Sequence, residues 1–181
     1  MIKMFEGLGL KRGITIRYAT YDWRKYGDPC WEEEWFPKLR ELVENTAKIS
    51  GRAVKIGCHS MGCPLVHNFF NTVDAEWKQK YISDFIAAGA PFAGAPQILQ
   101  NFIQGPSYAL LPMVVSMLGR ATVLSMPGFF TLLPSRLANA WPEDMEFVTT
   151  PWKTYAIDSL YDGSFYSDVE APEEEDGEAL K

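Results

Sequence analysis

The stretch AVKIGCHSMGCPLVHNFF, residues 53–70, constrains the chain more than any other. A short apolar run rich in β-branched residues reads as a buried strand. A run with helical spacing follows, its Pro64 placed in the first turn, where a missing N–H is tolerated. Between them Cys58-His59-Ser60-Met61-Gly62 must turn the chain sharply. A serine on a tight strand-to-helix turn is held out for attack on an acyl carbon. The turn needs small neighbours because the backbone there is strained and closely packed. The common pattern is Gly-x-Ser-x-Gly. Here Cys58 takes the first small position and Gly62 the second demanding one. Ser60 is the candidate nucleophile. The backbone N–H of Met61, at the positive end of the next helix, is the candidate oxyanion donor.

The segments around this turn supply a fold class. Residues 1–10 read as the end of a helix, with Gly9 or Gly13 as its stop. ITIRYATY (14–21) is β-branched and aromatic and predicts a strand. Trp35, Leu39, Leu42, Val43 and Ala47 recur at helical spacing. Pro37 belongs in a first turn, which places the start of that helix near 33–36, and Gly51 ends it. ISDFIAAGA (82–90) predicts a further buried strand. Strands and helices alternating in this way predict an α/β fold: a parallel βαβαβ core with right-handed crossovers and helices on both faces.

After residue 95 the composition changes. Residues 96–141 are apolar, rich in Met and broken by Pro and Gly, which fits a cap or lid. EFVTTPWKTYAI (146–157) predicts one more strand with a turn at Pro151. The domain reading is therefore a core with the Ser60 turn (1–95), a lid or cap (96–141), a returning core segment (142–168) and an acidic, disordered tail (169–181).

The net charge is −6, yet six acids and one Lys lie within 170–181, which leaves the body near neutral. That charge gives no support to a nucleic-acid partner. Hydrophobic residues form 47% of the chain, enough for a core. Three cysteines, Cys30, Cys58 and Cys63, do not suggest a disulfide framework or a zinc site and are expected to act as small buried hydrophobes. No cofactor or metal is implied. The N-terminus does not read as a signal peptide, and no apolar run is long enough for a spanning helix.

Four motifs in order give the chain a resemblance. YDWR (21–24), CHSMGC (58–63), AEWKQKYISDFIAAGAPFAG (75–94) and AWPED (140–144) resemble the lecithin:cholesterol acyltransferase family, with phospholipid:diacylglycerol acyltransferases and lysosomal phospholipases A among its members. The resemblance runs from residue 1 to about 160. It implies an α/β-hydrolase fold, here cut at both ends. It implies a Ser60 acyl intermediate that moves a phospholipid acyl group to a sterol, a diacylglycerol or water. The partners implied are a phospholipid and an acyl-acceptor lipid. Residues 107–133 would form either an acyl-chain and membrane surface or ordinary core.

In that family the triad acid and His follow the Ser far downstream. This chain has only His59 and His67. His59 is adjacent to Ser60 and is expected to point away. His67 lies two turns along the helix, roughly 10 Å on at 1.5 Å per residue. Asp158, Asp162 and Asp168 precede the expected position of the acid and are not assigned. No triad acid or His is therefore expected in this chain, which predicts little activity in isolation. The alternative is a non-catalytic fragment that binds lipid or a partner. Asp22 and Arg24 either line the site or pair to hold their loop, and Trp77 reads as a core or interface anchor, or else as lipid-facing.

Overall fold

A computed structural model describes residues 2–104, 114–136, 139–142, 144–151 and 153–170. They divide into two compact units, Met1–Phe92 and Ala93–Lys181. Of the sequence features above, residues 105–113 and 137–138 of the apolar segment, Glu143 of AWPED, Trp152 of the 146–157 segment and 171–181 of the acidic tail lie outside the described residues.

The first unit is α/β. It opens with α1 (Ile2–Gly7), then a 3-10 turn at Trp23–Lys25. The main elements follow: α2 (Pro29–Ser50), β1 (Val54–His59), α3 (Gly62–Asn71), α4 (Ala75–Tyr81) and β2 (Ile82–Ala88). β1 and β2 pair in parallel, from Val54 opposite Ile82 to His59 opposite Ala88. Two parallel strands need a crossover on one face of the sheet, and α3 and α4 supply it.

Three expectations change here. The strand expected at 14–21 does not form. Its first residues are spent on a turn, in which the N–H groups of Ile14, Thr15 and Ile16 all donate to the Lys11 carbonyl. Ile14 and Tyr18 stay 47% and 48% exposed. β-propensity expresses itself only where a neighbouring strand takes the ladder hydrogen bonds. The βαβαβ core expected from sequence is thus a single β-α-α-β unit among the described residues.

The sheet is also not covered on both faces. Val54, Ile56 and Cys58 of β1 are half-buried, but Lys55, Gly57 and His59 between them are exposed. In β2, Ile86 is 57% exposed, and Asp84 pairs with Lys55 across the open face. The third change is α2, which starts at Pro29 rather than near 33–36. Asp28 caps it, its carboxylate accepting from the N–H groups of Cys30 (3.0 Å) and Trp31 (3.4 Å). Asp before a helix-starting Pro is a strong start signal. Pro37 then falls inside the helix, where both it and Glu33, whose carbonyl it leaves without an i+4 donor, face solvent. Gly51 closes α2 in the left-handed region (φ 65).

The core of this unit is aromatic. Tyr26, Phe36, Leu39, Val43, Leu65, Phe69, Val73 and Trp77 are buried together. Trp77 is a core residue: its ring is edge-on to Phe69 (5.6 Å), and its indole N–H donates to Glu44 (2.7 Å). That bond and Arg40 hold the Glu44 carboxyl below the ordinary glutamate range. Asp74 caps α4 by accepting from the Trp77 N–H (2.6 Å).

The second unit holds α5 (Gln97–Gln104), α6 (Val114–Leu124), α7 (Pro127–Phe130), a short antiparallel pair β3 (Val148–Thr149) and β4 (Thr154–Tyr155), and α8 (Ser164–Glu170). The strand expected at 146–157, with its turn at Pro151, forms as two short strands paired across that turn. Ile98, Leu99, Phe102, Val123, Leu132, Tyr155, Leu160 and Phe165 are buried. The described part of the apolar segment therefore contributes Val123 and Leu132 to ordinary core. Ala93 and Gly94 are clamped to 132–135: the Ala95 N–H donates to Leu132 O (2.8 Å) and the Ser135 N–H to Ala93 O (2.9 Å). The Trp141 indole also donates to Ala93 O (3.0 Å), which ties the AWPED segment to the GAPFAG turn.

Candidate active site

Ser60 stands between the last residue of β1 and the start of α3, at φ 51. Among the described residues, only Asn139 shares a positive φ without being glycine. An L-residue in this region is strained unless its surroundings hold it. Two backbone bonds hold it here: the Ser60 N–H donates to Ala88 O (3.0 Å), and the Ser60 carbonyl accepts from the Cys63 N–H (2.9 Å). The parallel register of β1 and β2 sets the first bond, since His59 lies opposite Ala88. Met61 is already helical (φ −52, ψ −27), and no side chain caps the start of α3. The first N–H groups of that helix thus carry its positive end at the serine.

Gly62 is less demanding than the pattern suggests. A Cβ there would lie 3.7 Å from the Tyr21 hydroxyl and 4.0 Å from the Cys58 Cβ, which is ordinary contact. Gly62→Ala is expected to change stability by less than about 1 kcal/mol, the sign set by the better helix propensity of Ala; a urea titration reads it. A loss of several kcal/mol would mean a turn tighter than this one.

The imidazoles lie elsewhere. His59 is exposed, its Nε2 4.0 Å from where a Cβ on Gly89 would stand. His67 is exposed, its ring edge-on to Phe92 at 5.8 Å. Asp22 and Arg24 form a two-pronged pair, with Nε and Nη2 each 2.8 Å from a carboxylate oxygen. The pair holds the 3-10 turn and keeps the Asp22 carboxyl below its usual range. Asp168 binds Lys153 (2.7 Å) and Tyr155 (2.8 Å) within the second unit. No group of three or more His, Cys, Asp or Glu among the described residues is placed to hold a metal.

Tyr21 was not singled out by its spacing, yet its hydroxyl packs beneath the Ser60 turn at Gly62. Its ring also meets Trp31 (6.5 Å) and Trp35 (5.9 Å) of α2. YDWR thus does two jobs, a turn-holding ion pair and a phenol under the Ser60 turn. The cysteines differ too. Cys63 is buried as expected, Cys58 is half-buried, and Cys30 is exposed, because it sits in the first turn of α2 on the solvent side.

The family model for lecithin:cholesterol acyltransferase matches residues 1–173. The chain belongs to this family. It is 30% identical to the lysosomal phospholipase A and acyltransferase of Bos taurus over 93% of its own length and 40% of that protein's. It is 36% identical to the phosphatidylcholine-sterol acyltransferase of Papio anubis and 35% to that of Homo sapiens, each over 81% of this chain and 32% of the relative. The chain thus spans 32% to 40% of the length of these relatives. No helix among the described residues is long and apolar enough to cross a membrane.

Proposed function

We propose that Ser60 is the nucleophile of a lipid acyl-transfer site built on an α/β-hydrolase core. The observation that carries this reading is the left-handed Ser60 (φ 51), pinned between a parallel strand and a helix N-terminus in a member of this acyltransferase family. The Ser60 hydroxyl attacks the acyl carbonyl of a phospholipid ester. The tetrahedral oxyanion takes a hydrogen bond from the Met61 N–H, and expulsion of the lysophospholipid alkoxide, protonated as it leaves, gives an acyl-serine. A sterol, a diacylglycerol or water then accepts the acyl group. The names of the relatives support a phospholipid donor. Apart from the buried Val123 and Leu132, residues 107–133 are the proposed lipid-facing segment.

A base is the weak point of this site. Neither exposed imidazole is assigned the Ser60 proton, since His67 packs on Phe92 and His59 lies at Gly89. This favours a second reading, in which the chain on its own binds lipid or a partner without turnover. Without a base, oxyanion and binding effects still leave residual catalysis of roughly 10³-fold or more. Treating the purified chain with a fluorophosphonate should therefore label it slowly, at Ser60 alone, with loss of the adduct in Ser60→Ala. Adducts spread over other serines, or none at Ser60 in a folded chain, would reject Ser60 as the nucleophile and leave the binding reading.

A further inference from the structure

Charge is unevenly spread over the first unit. Residues 1–20 hold four bases, Lys3, Lys11, Arg12 and Arg17, and one acid, Glu6, in a chain of net charge −6. Glu6 sits 3.4 Å from Arg12. Lys3, Lys11 and Arg12 are exposed. Large apolar side chains stand out of the same stretch. Leu8 is 73% exposed, and Ile14 and Tyr18 are half-exposed. Arg17 reaches Thr46 of α2 (3.5 Å), and one turn further along α2 Ile49 is exposed too. The backbone that carries these side chains is closed on itself. The N–H groups of Leu8 and Leu10 donate to Phe5 O (3.1 Å each), and that of Gly9 to Glu6 O (3.0 Å). The Gly13 N–H donates to Ile16 O (2.8 Å) and the Thr15 N–H to Lys11 O (2.9 Å). The turn therefore enters an apolar layer without stranding these donors, which would otherwise oppose the transfer. The nucleophile reading uses none of these residues.

We propose that this basic and apolar surface docks the chain on an anionic lipid bilayer. The bases lie against the negatively charged headgroups, and Leu8 and Ile14 enter the boundary with the acyl chains. Tyr18, with an apolar ring and a polar tip, suits the layer between. Charge complementarity selects the occupant: a locally positive face on a negative protein is drawn to an anionic surface and keeps the rest of the chain away from it. The exposed apolar side chains make that surface a lipid one. A polyanion without an apolar layer, such as a nucleic acid, would engage the bases and leave Leu8 in water. The lipid-facing segment proposed above offers no such selection, because Arg120 is the one charged residue within 107–133. Docking through residues 1–20 therefore distinguishes anionic from zwitterionic lipid, and it needs no working serine.

The full chain is mixed with sedimentable vesicles of phosphatidylcholine, alone or blended with phosphatidylserine, and the bound fraction is read against lipid concentration. Binding is expected to the blended vesicles, to weaken as salt screens the charges, and to be far poorer on phosphatidylcholine alone. Each base near an anionic surface strengthens binding roughly fivefold, so the double variant Lys11→Ala with Arg12→Ala should bind about 25-fold more weakly. Leu8→Ser should lose about tenfold while keeping the salt dependence. All three side chains are exposed, so the variants keep the fold, which circular dichroism checks. Ser60→Ala should bind as the parent does, so an inert serine leaves the result unaffected. Equal binding to both kinds of vesicle, or none to either, overturns the proposal. So does full binding by the double variant, which would move the contact to another surface such as 107–133. Weakening in the double variant with no loss in Leu8→Ser also overturns it, because the face would then be a site for any polyanion.

Discussion

Phe69→Ala is expected to lower the stability of the first unit by about 3–5 kcal/mol, the range for emptying a phenylalanine site in a packed core. Phe69 is 0% exposed and lies on the face of α3 that looks into the aromatic core. Its ring meets Phe36 and Phe70 at 5.9 Å and Trp77 at 5.6 Å, so truncation removes contacts to three rings at once. A loss of that size is a large share of the roughly 5–15 kcal/mol that holds a typical domain. Phe69→Leu, which keeps most of the volume, provides a folded intermediate case. The neighbouring Phe70 is only half-buried, against Phe85 at 5.2 Å, and its replacement by Ala is expected to cost distinctly less. Urea midpoints of the three variants order the losses. Equal losses for Phe69→Ala and Phe70→Ala would mean that α3 does not present the face described.

What the sequence made legible is local. The strand–serine–helix passage could be read because strand signal, small residues and a first-turn proline all sit within 18 residues, and β1 and α3 form there. The start of α2 was missed for a local reason as well: Pro37 outweighed the Asp28-Pro29 start signal. A solvent-facing position lets water take the carbonyl that an internal proline orphans. The strand expected at 14–21 failed for a non-local reason. Its residues have the right propensity, but their hydrogen-bonding partners cannot be read from the segment itself. The burial of β2 failed likewise, because ISDFIAAGA is apolar enough for a covered strand while only tertiary packing decides what covers Ile86. At the candidate site, the sharp strand-to-helix turn at Ser60 was legible from the pentapeptide. The Tyr21 phenol beneath Gly62 was not, since it arises from a contact between elements.

Gly94→Ala is the second large effect, and it separates two costs that usually arrive together. Gly94 has φ 93, where an L-residue is strained by roughly 1–3 kcal/mol. A Cβ there would also stand 2.3 Å from the Leu133 carbonyl oxygen and 2.7 Å from the Pro134 Cα. Both obstacles are backbone, so no side chain can rotate away. The 93–95 segment and the 132–135 segment must part, which endangers the Ala95–Leu132 and Ser135–Ala93 bonds. Each such bond contributes roughly 0.5–1.5 kcal/mol. The total loss expected is therefore about 3–5 kcal/mol. Gly163 supplies the control within the same unit. Its φ is 89, but nothing lies within 4 Å of its Cβ position, so Gly163→Ala carries the strain without the collision. Thermal or urea unfolding of the two variants should show Gly94→Ala losing at least about 1 kcal/mol more, which is the part due to the parted backbones. Equal losses would mean that the GAPFAG turn does not pack against 132–135. The Trp141 indole, which donates to the Ala93 carbonyl beside Gly94, gives an independent optical readout: its fluorescence should shift in Gly94→Ala and stay unchanged in Gly163→Ala.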